Sequence, residues 1–115
     1  MITPTPNTKI YIHTGKVDFR KGIDGLCAIC KYDLKKTPFN GTMFVFSNSS
    51  RTALKILYFD GQGYWICHKR LSRGRFNWWP KGELAIEFAA KELIVLMWNG
   101  DPYGSKMQSD WRPIS

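Results

Sequence analysis

Acidic residues are scarce in this chain. Nine Asp and Glu stand against 17 Lys and Arg, for a net charge of +8 and a sequence pI near 9.6. No acid lies between Asp60 and Glu83. The imbalance points to polyanionic partners, meaning nucleic acid or an anionic membrane surface. It also bears on catalysis, because metal-dependent strand transfer needs several carboxylates converging on Mg²⁺. Here the acids are scattered. Asp18 suits a helix cap, Asp60 a turn, and Glu83, Glu87, Glu92 and Asp101 flank or follow a C-terminal helical pattern, while Asp24 is the least explained. No catalytic residue is assigned, and the chain reads as a non-enzyme.

Long apolar runs are also missing. The longest candidate, Leu93 to Trp98, falls far short of the roughly 18 residues needed to span a bilayer, so no membrane partner is expected. The start MITPTPNTK lacks the apolar centre of a signal peptide. With only three cysteines, an odd number, the expectation is reduced thiols in a cytoplasmic protein. Cys27-Ala28-Ile29-Cys30 is a CxxC, and Cys67-His68 stands apart from it. One CxxC with a lone Cys-His pair is incomplete for zinc, and on an apolar helix face both cysteines serve as small buried hydrophobes. No metal or cofactor is assigned. His13 and His68 have no nucleophile within sequence reach, so a hydrolytic triad has no support.

What the chain does have is apolar and aromatic content, 43% and 15% of its residues, enough for one folded core at 115 residues. Residues 1–8, with Pro4 and Pro6, read as a loose arm, 9–100 as a single domain, and 101–115 as a tail carrying Pro102, Gly104 and Pro113. Lys9 to His13 suits a short strand ended at Thr14-Gly15. Phe19, Ile23, Leu26, Cys27, Cys30 and Leu34 then mark one helical face, with Asp18 as N-cap and Thr37-Pro38 as the stop. Gly22 and Gly25 count against that helix by roughly 1 kcal/mol each. A turn at Asn40-Gly41 leads into strands over Thr42–Phe46, Ala53–Phe59 and Tyr64–Arg70. The last two are joined by Asp60-Gly61-Gln62-Gly63, a turn sequence that tolerates positive φ. Glu83 to Glu87 suits a final short strand. Ala89 to Trp98 suits a helix with Leu93, Leu96 and Met97 on one side, stopped by Asn99-Gly100. The fold class expected is α+β: an antiparallel meander of three to five strands, with an N-terminal and a C-terminal helix covering one face.

The candidate site is the stretch after the hairpin. Lys69, Arg70, Arg73 and Arg75 are interleaved with Phe76, Trp78 and Trp79. Cations suit phosphates and rings suit exposed bases, although the same residues also suit a solvated rim over an aromatic core. Arg20 and Lys21, in the first turn of the expected helix, form a second cationic candidate, and Arg51 and Lys55 complete the set.

Several motifs then occur in one order. Asp18-Phe19-Arg20-Lys21-Gly22-Ile23-Asp24-Gly25-Leu26 is followed by Pro38-Phe39-Asn40-Gly41 and by Phe44-Val45-Phe46-x-Asn48. Next comes Lys55-x-Leu57-Tyr58-x-Asp60-Gly61-x-Gly63-Tyr64-Trp65, continuing as Lys69-Arg70-Leu71-x-x-Gly74-Arg75-Phe76 to Trp78 and Pro80. Together they resemble the small TnpB-like accessory protein of insertion-sequence-66 family transposons. The resemblance covers about Ile10 to Pro80 and continues more loosely to Gly100. It departs in the tail, in the doubled Trp78-Trp79, and in Ser49-Ser50 where basic residues are usual. It implies a role in bacterial DNA transposition beside a separate transposase that carries the acidic catalytic residues, with a further small element-encoded protein as partner. Two modes of action remain open: contact with DNA, at transposon ends or non-specifically, or a protein–protein adaptor with no DNA contact.

Overall fold

The computed structural model describes residues 3–39 and 41–104. Five strands and two helices form an α+β domain: β1 (Lys9–Lys16), α1 (Ile23–Ala28) continued by a π-helical segment (Ile29–Asp33), β2 (Thr42–Ser47), β3 (Ala53–Phe59), β4 (Tyr64–Arg70), β5 (Ala85–Phe88) and α2 (Ala90–Met97). The sheet order is β4-β3-β2-β1-β5.

The β2-β3-β4 meander is antiparallel as expected, with Val45 opposite Ile56 and Ile56 opposite Cys67. Its tight turn is held by Asp60, whose Oδ1 accepts from the amides of Gln62 and Gly63 at 2.8 Å each, while Gly61 takes φ +95°. The sheet as a whole is mixed, not antiparallel throughout. β1 runs parallel to β2, Ile10 beside Met43 and Ile12 beside Val45, and β5 then pairs antiparallel with β1. The cause is the connection: the chain between β1 and β2 contains α1, and a helical crossover returns the next strand in the same direction.

The two helices do not share a face. Successive strand residues point to opposite sides of the sheet. Ile10, Ile12, Met43, Val45, Leu54 and Ile56 meet Leu93 and Leu96 of α2. Phe44, Phe46 and Leu57 meet Leu26, Cys30 and Leu34 from the α1 segment. Each helix has its own apolar layer, so β2 is buried along its whole length. A single helix layer would have left Phe44, Phe46 and Leu57 facing water.

The N-terminal helix also begins later than expected. Asp18 closes a local turn in place of capping a helix: its Oδ1 accepts from the Arg20 amide at 2.9 Å, and its main-chain oxygen accepts from the Lys21 amide. Gly22 then runs extended and occupies the N-cap without a side-chain cap. Arg20 and Lys21 therefore precede the helix. At the other end of the chain, α2 stops as anticipated, with Asn99 in the left-handed region at φ +63°.

Candidate nucleic-acid interface

The basic stretch is an irregular loop braced from several directions. Lys69 and Arg70 end β4, and the chain then crosses back over the sheet. The Leu71 amide donates to the Thr52 carbonyl at 2.9 Å, and the Phe76 amide to the Arg51 carbonyl at 2.7 Å. Asn99, just past α2, holds the middle of the loop. Its Oδ1 accepts from the Asn77 amide at 2.9 Å and its Nδ2 donates to the Arg75 carbonyl at 3.1 Å. Between these fixed points Gly74 takes φ +72°, a turn open to glycine, and Arg73 and Arg75 project outward on either side.

Beside the loop lies a groove of about 490 Å³ lined by Lys69, Arg70, Leu71, Ser72, Arg73, Trp98 and Asn99. The Lys69 ammonium donates to the Met97 carbonyl at the end of α2 and sits 4.9 Å from the Trp98 ring centroid. Partial burial lowers the pKa of this amine from its ordinary value. The site thus combines a half-buried, fixed cation with the exposed guanidinium groups of Arg70, Arg73 and Arg75. Among the described residues the ion pairs are Lys9 with Glu87 and Arg20 with Asp18, so none involves these four cations.

Of the other sequence candidates, several have internal roles. Lys55 is buried on the α1 side of the sheet, where its ammonium donates to the carbonyls of Phe19 at 2.8 Å and Lys21 at 3.3 Å. It holds the turn before α1 and does not reach the groove. Arg51 donates to the carbonyls of Thr14 and Gly15 and lies over the Trp79 ring at 5.0 Å. Arg20 is paired with Asp18 at 2.7 Å, and that pairing holds the Asp18 carboxyl at about 2. Lys21 is exposed but lines a different cavity, together with His13 and Lys16.

The tryptophans fall differently from the expectation that Trp78 or Trp79 is free for stacking. Trp79 is 7% exposed, edge-on to Phe76, and its Nε1 donates to the His13 carbonyl. Trp78 is half-buried, stacked on Phe88 and met edge-on by Tyr103, a residue within the segment read as tail. The exposed ring at the site is Trp98, at the end of α2 and outside the basic run of the sequence. The signal was there: Leu93 and Leu96 mark the buried stripe of α2, and a residue two beyond Leu96 falls on the opposite side at 3.6 residues per turn.

The cysteines have apolar surroundings. Burial pushes the Cys30 thiol up to about 12 and also raises Cys27. Among the described residues no three His, Cys, Asp or Glu side chains are grouped to hold a metal ion. Among the same residues no helix is long and apolar enough to cross a membrane.

The family model described as IS66 Orf2 like protein matches residues 8–104, which takes in every strand, both helices and the braced loop. The chain belongs to this family. The family is an accessory-protein family of insertion sequences and is not known as catalytic. The chain is also similar to two proteins of Sinorhizobium fredii (strain NBRC 101917 / NGR234). The uncharacterized protein y4hO is 35% identical over 113 residues, 98% of this chain and 96% of the relative. The uncharacterized protein y4jC is 33% identical over 97 residues, 84% of this chain and 83% of the relative. No solved structure matches the chain.

Proposed function

We propose that this insertion-sequence protein supports DNA transposition as a non-catalytic accessory that grips DNA, alone or in a transposase–DNA complex, through the groove beside Trp98. On this reading it acts in the bacterial cytoplasm, where the element's DNA and its other encoded proteins are found. One observation carries the proposal. Lys69, Arg70, Arg73 and Arg75 fall within seven residues, at the end of β4 and along a braced loop, with no carboxylate partner among the described residues. Four neighbouring cations repel one another unless a polyanion neutralises them, and phosphate is the polyanion an insertion sequence presents. Bracing adds to this, because a loop already fixed loses little entropy on binding.

The test is the Arg70→Ala, Arg73→Ala, Arg75→Ala triple variant in fluorescence anisotropy against labelled transposon-end duplex and scrambled duplex across salt concentrations. Weaker binding is expected, with the salt slope reduced by about one unit per lost phosphate contact. Unchanged affinity and slope would refute the assignment.

The adaptor reading is favoured by a separate observation, the exposure of large aromatic residues outside the groove. Phe39 is 54% exposed and Tyr32, in the π-helical segment after α1, 63%, and neither lines the groove. If these dock on the transposase, a Tyr32→Ala, Phe39→Ala variant loses co-purification with it while keeping DNA affinity. The pair Trp78 and Trp79 does not serve this test, because truncating Trp79 removes part of the core.

A further inference from the structure

We propose that Trp98 is a stacking platform for an unpaired nucleotide, so that the groove takes a single-stranded or frayed stretch of DNA in preference to an intact duplex. The inference rests on the DNA reading of the groove and specifies what that groove accepts. Trp98 is 55% exposed and makes no ring–ring contact among the described residues, unlike Trp78 and Trp79. Yet it is not a loose side chain. Its amide donates to the carbonyls of Ile94 and Val95, which fixes its backbone at the end of α2, and the tethered Lys69 ammonium sits over its ring.

A fixed, exposed indole beside arginines has a particular use. Within a duplex both faces of each interior base are covered by its neighbours, so a protein ring has no free face to stack on away from the ends. An unpaired base has a free face, and stacking it on an aromatic side chain is favourable for any base. Arg70 and Arg73 are among the residues that line the same groove, and the phosphates flanking such a base need cations nearby. The volume of about 490 Å³ lies within the range of pockets that hold small ligands, so one nucleotide fits.

Trp65 supplies a contrast within the same chain. It is 54% exposed, and a spacing of four residues along β4 puts it on the same face as Lys69. Its Nε1, however, donates to the Asp60 carboxylate at 2.8 Å, and a carboxylate at the ring edge repels a phosphate. Exposure is nearly equal; the electrostatic setting is opposite. Trp98 is therefore the platform, and Trp65 is not.

The experiment compares a blunt labelled duplex, the same duplex with an unpaired overhang, and the free single strand, at one fixed salt concentration. The wild-type protein is expected to prefer the probes with unpaired nucleotides. Trp98→Ala should bring those probes down to the blunt-duplex level, a loss of roughly 5- to 100-fold. Trp98→Phe should keep most of the preference, and Trp65→Ala all of it. Thermal unfolding of each variant checks that the fold is retained. Equal wild-type affinity for all three probes, or equal losses from Trp98→Ala and Trp65→Ala, overturns the inference. If blunt-duplex binding still depends on Arg70, Arg73 and Arg75 in that case, the DNA reading survives alone. Absence of binding to every probe removes both.

Discussion

The indole Nε1 of Trp79 donates to the main-chain carbonyl of His13 at 3.0 Å, tying the end of the basic loop to the first strand. The ring lies between Phe76 and the Arg51 guanidinium, and Arg51 in turn donates to the carbonyls of Thr14 and Gly15. Trp79→Phe keeps an aromatic ring and removes the donor. It should lower unfolding stability by about 1–3 kcal/mol, the usual cost of leaving a buried acceptor without its partner. Urea unfolding measures that loss. The salt slope of DNA binding should stay as it is, because no phosphate contact is removed.

Asn99 is the second brace, and substitutions there separate shape from charge. Asn99→Ala removes both side-chain hydrogen bonds to the loop and leaves a β-carbon in the left-handed region, which alanine tolerates less well than asparagine; Asn99→Gly removes the same bonds and relieves that strain. Both variants should lose about 1–2 kcal/mol, alanine at the upper end. DNA affinity should fall although the net charge is unchanged, since Arg73 and Arg75 would no longer be held in place. Wild-type affinity in Asn99→Gly would show that the bracing is irrelevant to binding.

His13 carries the pH prediction. Burial lowers its pKa below the ordinary 6.5, with the nearby Arg51 charge acting in the same direction and the Gly15 main chain and Asp33 opposing them. The unfolded chain therefore binds a proton more readily than the folded one. Stability should be fully present above 6.5 and decline as the pH falls from there through the folded-state pKa. Urea midpoints taken from neutral pH down to about 5 should show the decline in wild type and a flatter profile in His13→Gln. Equal slopes in the two proteins would remove His13 as the cause.

The parts of this fold that are legible in the sequence are those whose causes are local. Asp60 to Gly63 reads as a turn because one carboxylate satisfies two neighbouring amides and a glycine supplies the positive φ. The direction of β1 is different. It depends on what α1 does between two strands, and no residue of β1 itself encodes it. The same holds for the site. The cations at Lys69, Arg70, Arg73 and Arg75 are visible as a run, but Lys55 and Arg51 look equally available until Phe19, Thr14 and Gly15 are brought beside them. Trp79 falls in a loop with no period to reveal its burial, and its partner His13 is on the far side of the chain. Trp98 differs, because the period of Leu93 and Leu96 places it opposite the buried stripe of α2.

The interior place of β1, between β2 and the edge strand β5, has a consequence for synthesis. The first strand to leave the ribosome is flanked by β2 on one side and by β5 on the other, with Ile10 opposite Phe88. A nascent chain that has emerged only as far as the basic loop has a sheet whose newest edge is its oldest strand, with hydrogen-bonding groups from Ile10 to His13 unpaired and no Leu93 or Leu96 over the apolar layer. Termination between the basic loop and Ala85 therefore yields an aggregation-prone fragment instead of a smaller working protein, and an element whose reading frame ends there loses the protein outright.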